Sequence, residues 1–228
     1  MDRAIIDEIA VFPLPGCREP LSSLSHMLGA FVFAVMAILL IRRGRGDWVR
    51  TSSLAVMAAS SVLLLILSSA YHLSWPGPAR EFLLRADVAG VFLLIAGSMT
   101  PIHAIVFSGR ARWLALTLIW TIAVTGILLR MIYHEFVTDA VGVSIFLMCG
   151  WCSLVTAVVL WRRYGWEFMK PAVLAGASYT LGAVVLLFHG PTLVTGIMGP
   201  HELWHLAVLS GLSMHWRFVF QFATGPEC

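Results

Sequence analysis

Runs of about twenty apolar residues, each closed by a short cluster rich in Arg, Gly or Pro, recur along the whole chain. They cover roughly 24–41, 54–73, 88–107, 113–129, 140–161, 171–188 and 201–220, and the breaks between them include RRGRGDWVR, SGRAR, RRYGWEFMK and HGPTLVTGIMGP. Each run is long enough to cross a bilayer, and backbone in hydrocarbon must satisfy its own hydrogen bonds, which points to helices joined by these loops. The pattern predicts an all-α integral membrane protein, a seven-transmembrane-helix bundle forming one domain over residues 1–228. It shows no internal repeat and no linker that would divide the chain.

Composition agrees with the pattern. Only 12% of the residues are charged and 59% are hydrophobic, where a soluble domain carries about a quarter charged; the mean hydropathy is +0.88. A soluble domain and a disordered chain are excluded. The net charge of +3 is small, and its Arg residues lie in clusters beside apolar runs, so nucleic acid is not an expected partner and lipid is. The N-terminus has no basic segment followed by an apolar stretch and a cleavage site, so no removable signal peptide is expected. Cys149 and Cys152 form a literal C-x-x-C, but it lies inside the apolar run AVGVSIFLMCGWCSLVTAVVLW, where Cys packs as a small hydrophobe. With seven spans, Arg3, Arg18, Arg80, Arg85 and Arg130 fall on the N-terminal side and all the other Lys and Arg on the opposite side. The positive-inside rule then places the N-terminus outside and the C-terminus in the cytoplasm, as expected for a multi-pass protein of the plasma membrane.

Eight His are the unusual feature of so apolar a chain. The second run ends in Ser68-x-x-x-His72, the third starts just after Asp87, and the seventh opens with His201-Glu202-Leu203-Trp204-His205. Alternating span direction brings these three places to one membrane face, whichever way the protein is inserted. Residues four apart share a helical stripe, so Ser68 stands one turn from His72, and His201 and His205 project together. Three imidazoles at one depth suit a zinc site with a place left for water, although ligand type alone admits softer metals. Asp87 and Glu202 are the acids expected near it. His26, His103, His134, His189 and His215 lack a second ligand at helical spacing and are expected to be packing, interfacial or loop groups.

HELWH also fits H-E-x-x-H, the metalloprotease pattern in which Glu202 would be the general base. An intramembrane protease would draw an Asp ligand from a later helix, and no Asp follows His205. Glu202 is rotated about 100° from His201 on the helix, which favours a carboxylate complementing the helix N-terminus over a catalytic one. Glu202 stays a possible secondary site residue.

The chain resembles the progestin and adipoQ receptor family, which includes the bacterial hemolysin III proteins. The resemblance rests on Ser68-x-x-x-His72, LRADVAGVFLLIAGSMTP around Asp87, GASYTLGAV and HELWHLAVLSG, in the family's order and spanning about 22–220. It implies a seven-helix fold with Zn2+ bound near one membrane face by His72, His201 and His205, with Asp87 holding the zinc-bound water and Ser68 nearby. It also implies kinship with the alkaline ceramidases, which cleave a lipid amide. Two features depart from the family. Val88 stands where many members have a second His, and the receptor branch is described with a cytoplasmic N-terminus, opposite to the Arg distribution here.

The expected function is a zinc-dependent lipid amide hydrolase acting on a ceramide-like acyl lipid that enters from the bilayer. Asp87 and Ser68 would be its catalytic residues. The alternative is a receptor or membrane-homeostasis protein with a structural zinc and a fatty-acyl ligand in the bundle. A pore former is disfavoured because no span carries a row of polar side chains fit to line a channel.

Overall fold

The computed structural model describes residues 11–133 and 139–225. Among them the chain is helical, with no strand and two isolated bridges, Leu14 with Cys17 and Val194 with Met198. Helix α1 is Pro20–Arg43, α2 Trp48–Leu73, α3 Pro78–Pro101, α4 Gly109–Ile132, α5 Asp139–Cys152, α6 Leu154–Leu187 and α7 Pro200–Phe220; a π-helical turn, Ile102–Val106, follows α3.

Local chemistry sets the ends. Pro20, Pro78 and Pro200 open α1, α3 and α7, a position where the missing N–H costs nothing and the fixed φ is already helical. Asp47 caps α2 by accepting from the Arg50 N–H at 2.9 Å. Pro101 cannot donate to the helical ladder, and the chain widens into the π-helical turn directly after it.

Five stretches are long and apolar enough to cross a membrane: Pro20–Arg43, Trp48–Leu73, Pro78–Val106, Gly109–Ile132 and Gly142–Leu187. The expected fifth and sixth runs both lie in the last of these. The RRYGWEFMK loop is not a loop, because helical backbone continues through it on both sides of a single break at Gly165, where φ is 83° and ψ −179°. Glycine reaches that left-handed φ without strain, and other residues do not. Helix α7 has the length, at 21 residues, but its His, Glu and Arg make it more polar than the other five.

The helices pack in a ring. α2 lies between α1 and α3, α7 between α1 and α6, α5 touches both α6 and α3, and α4 lies against α3. Gly97 makes the α2–α3 approach close, since a Cβ there would run into Ser60. Inside the ring is a cavity of about 1160 Å³.

Candidate metal centre

The starts of α1, α3 and α7 and the end of α2 meet at one end of this cavity. His72 arrives on the last turn of α2, and His201 and His205 lie on the first two turns of α7. His72 and His205 are 1% and 3% exposed, while His201 keeps more surface, which faces the cavity. The three rings converge by their Nε2 atoms, with His201 to His72 at 3.4 Å and His205 to His201 at 3.1 Å. One ligand nitrogen from each lies within 4.8 Å of the others. Nitrogens about 2.0–2.1 Å from a tetrahedral metal stand about 3.3 Å apart, so the cluster could hold a metal ion with little movement.

Asp87, more than two turns into α3, lies beside Ser68 and His72. Both Asp87 and Ser68 line the cavity, so the carboxylate, the hydroxyl and the three imidazoles face one space. Its remaining wall is mostly apolar, including Leu94, Ile102, Phe146, Val173 and Leu187.

Glu202 is also at this end but turned away from the cluster. Its Oε1 accepts from the Ser22 hydroxyl at 3.1 Å and its Oε2 from the Gly199 N–H at 3.0 Å, so it closes the N-terminus of α7 and joins it to α1. Its oxygens are engaged in structure, as the helix-terminus reading expects.

Sequence reasoning missed Glu19. Its carboxylate accepts from His72 Nδ1 and from Arg80 Nη2, the latter at 2.5 Å, and its backbone N–H donates to the His72 carbonyl at 3.1 Å. Burial pushes this carboxyl up, but the hydrogen bond from His72 and the Arg80 guanidinium outweigh it and hold the group below the usual carboxylate range. Arg80 also donates to the carbonyls of Tyr71 and Ser74 at 2.8 and 2.7 Å and lies over the Tyr71 ring. A signal was present: Glu19 and Arg80 flank spans on the same face as His72, and the depth argument applied to the His reaches them too.

The other His separate clearly. His26 on α1 is buried with its ring 4.0 Å from that of His205, and neither of its nitrogens has a hydrogen-bond partner among the described residues. It belongs to the surroundings of the cluster and not to the ligand set. His215 bonds the Ser98 carbonyl at 3.1 Å. His103 is buried in the π-helical turn, where an interfacial position was expected, and His189 is exposed in a turn after α6. His134 lies outside the described residues. Cys149 and Cys152 are free thiols outside the cluster, and Cys149 packs against the group formed by Phe92, Ala96 and Ala123.

A family model described as haemolysin-III related matches residues 17–216. The chain belongs to that family. Hemolysin-3 of Bacillus cereus is 26% identical over 199 residues, covering 86% of this chain and 88% of that protein. The Hemolysin-3 homolog of Bacillus subtilis is 21% identical over 197 residues, covering 85% and 89%. An uncharacterized protein of Schizosaccharomyces pombe matches at 24% over 154 residues, 62% of this chain and 35% of its own. Haemolysin-III membership and the five apolar helices make this a multi-pass membrane protein.

Proposed function

We propose that this haemolysin-III family protein is a zinc-dependent hydrolase of acyl amides in the bilayer, with His72, His201 and His205 holding the metal. The observation that carries the reading is the meeting of three imidazole nitrogens and the Asp87–Ser68 pair at the polar end of a large apolar cavity. Intramembrane ionisable groups are costly and are retained for function, and a cavity of this size and character suits an acyl chain.

When bound, zinc supplies Lewis acidity and lowers the pKa of a water at the site. Asp87 would orient a water in the cavity and take its proton as the water oxygen attacks the acyl carbon. Ser68, beside Asp87, is placed to donate to the oxygen that gains charge as the carbonyl becomes tetrahedral. The C–N bond then breaks, Asp87 returns the proton to the departing nitrogen, and a fatty acid and an amine leave. The apolar wall holds the chain and keeps bulk water from the reacting atoms.

Seven spans belong to the same reading. A straight helix over 46 residues would be about 69 Å long, more than twice the roughly 30 Å of hydrocarbon. The break at Gly165 supports two crossings within Gly142–Leu187, and α7 would be the last crossing, shielded by its neighbours. The Arg distribution supports an external N-terminus and an external metal centre in the plasma membrane.

The reading is tested with metal-loaded protein in lipid micelles, offered N-acyl and O-acyl lipids and assayed for free fatty acid. Release from an N-acyl lipid, reduced about 100-fold or more by Asp87→Asn, is expected. Metal-loaded protein that releases no fatty acid from any of them, yet binds such lipids, would instead support a receptor with a structural metal.

A further inference from the structure

We propose that Glu19 is the positioning carboxylate of the metal centre: its grip on His72 fixes which imidazole nitrogen faces the cluster and thereby sets how tightly the centre holds its metal. The proposal rests on the metal-site reading above and concerns a residue outside the ligand set.

Three observations carry it. Glu19 holds His72 twice, by its carboxylate on the ring Nδ1 and by its backbone N–H on the carbonyl of the same residue. This fixes both the ring and the last turn of the helix that bears it. The carboxylate is itself fixed, because Arg80 takes its other oxygen and ties the pair to the Tyr71 and Ser74 carbonyls at the end of α2. The cluster is also unequal, since the buried His205 Nδ1 has no partner among the described residues. An imidazole whose Nδ1–H is donated to a carboxylate carries its lone pair on Nε2, with raised basicity, and Nε2 is the atom His72 turns toward His201. His72 is therefore the pre-oriented ligand, and Glu19 in α1's approach couples the N-terminal segment to the centre. A bare Arg80–Glu19 ion pair pinning two helices would need neither the Nδ1 contact nor its alignment with Nε2.

The test is metal affinity, measured by competition of zinc, and separately cobalt, between a chromogenic chelator and detergent-purified full-length protein. Glu19→Gln and Glu19→Ala should bind about 10–100-fold more weakly than wild type. Glu19→Asp, which keeps the charge, should retain more affinity than Glu19→Gln. Ser22→Ala, which removes the Glu202 contact at the same end of α1, should bind as wild type does. Glu19→Gln keeps an oxygen for Arg80 to donate to, so its metal-free melting temperature should stay close to that of Ser22→Ala, which separates an effect on the centre from a general loosening. Equal affinity in wild type and both neutral variants would overturn the role of Glu19 and leave the metal site standing. So would an equal loss in Ser22→Ala. Wild-type protein that binds neither metal would overturn the site and this proposal together.

Discussion

At one end of the bundle α1, α2 and α7 bury Ser22, Ser23, His26, Ser68, Ser69, His72, Glu202 and His205; at the other the same helices bury Leu40, Leu54, Met57, Phe218 and Val219. The apolar end rests chiefly on shape, since lipid is as apolar as Leu and packing is what distinguishes a neighbouring helix from a lipid tail, and its buried Ser53 is bonded within its own helix. The polar end engages part of what it encloses through Glu19, Arg80, Ser22 and the Gly199 N–H, while the Ser23 hydroxyl, both His26 nitrogens and the His205 Nδ1 have no partner among the described residues. Three imidazole nitrogens remain aimed at one another. The difference separates stability from chemistry: one end is a packed core, the other a site whose polar groups converge where no core is needed.

Four perturbations press on that separation. The largest expected effect is Leu54→Ala, fully buried at the apolar end. It should destabilise the protein by about 2–3 kcal/mol, the lower part of the range for such cavities because the transfer contribution is reduced in lipid. Unfolding in mild detergent measures it, and zinc content should not change; loss of zinc would break the comparison. Next, removing metal with a chelator should lower the stability of wild type by about 2.7 kcal/mol from a state saturated at a hundredfold excess over Kd. The same chelator should leave the melting temperature of His201→Ala unmoved. Third, Gly97→Ala forces a methyl against Ser60 where α2 and α3 approach, and a cost of about 1–3 kcal/mol is expected. Because this contact lies between the two ends, its variant should lose stability while binding zinc at wild-type affinity. The smallest effect belongs to Cys149→Ala with Cys152→Ala, for which metal analysis should find wild-type zinc; a fall would reinstate the C-x-x-C as a ligand pair.

How much of this was legible in the sequence follows from what each feature depends on. The His72, His201 and His205 cluster needed only helical spacing and alternating span direction, and both are properties of sequence order. That Asp87 and Ser68 lie at this same end followed from the same depth argument. The depth argument reaches Glu19 as far as its level in the membrane, but its contact with His72 bridges 53 positions and depends on the packing of α1 against α2, which the hydrophobic pattern does not specify. The RRYGWEFMK segment was misjudged for a local reason. Charged residues at a membrane edge need not unwind a helix, so the turn contracts to Gly165 alone. At Glu202 the H-E-x-x-H match offered a catalytic base, the offset from His201 favoured the helix terminus, and the carboxylate closes that terminus.

The central claim is that the polar end holds one zinc through three His. It is tested most directly by elemental metal analysis of detergent-purified wild type and His205→Ala prepared without chelators. About one zinc per chain in wild type and little or none in His205→Ala, with both proteins folded, is the predicted result. Metal absent from wild type, or present equally in both, would contradict it.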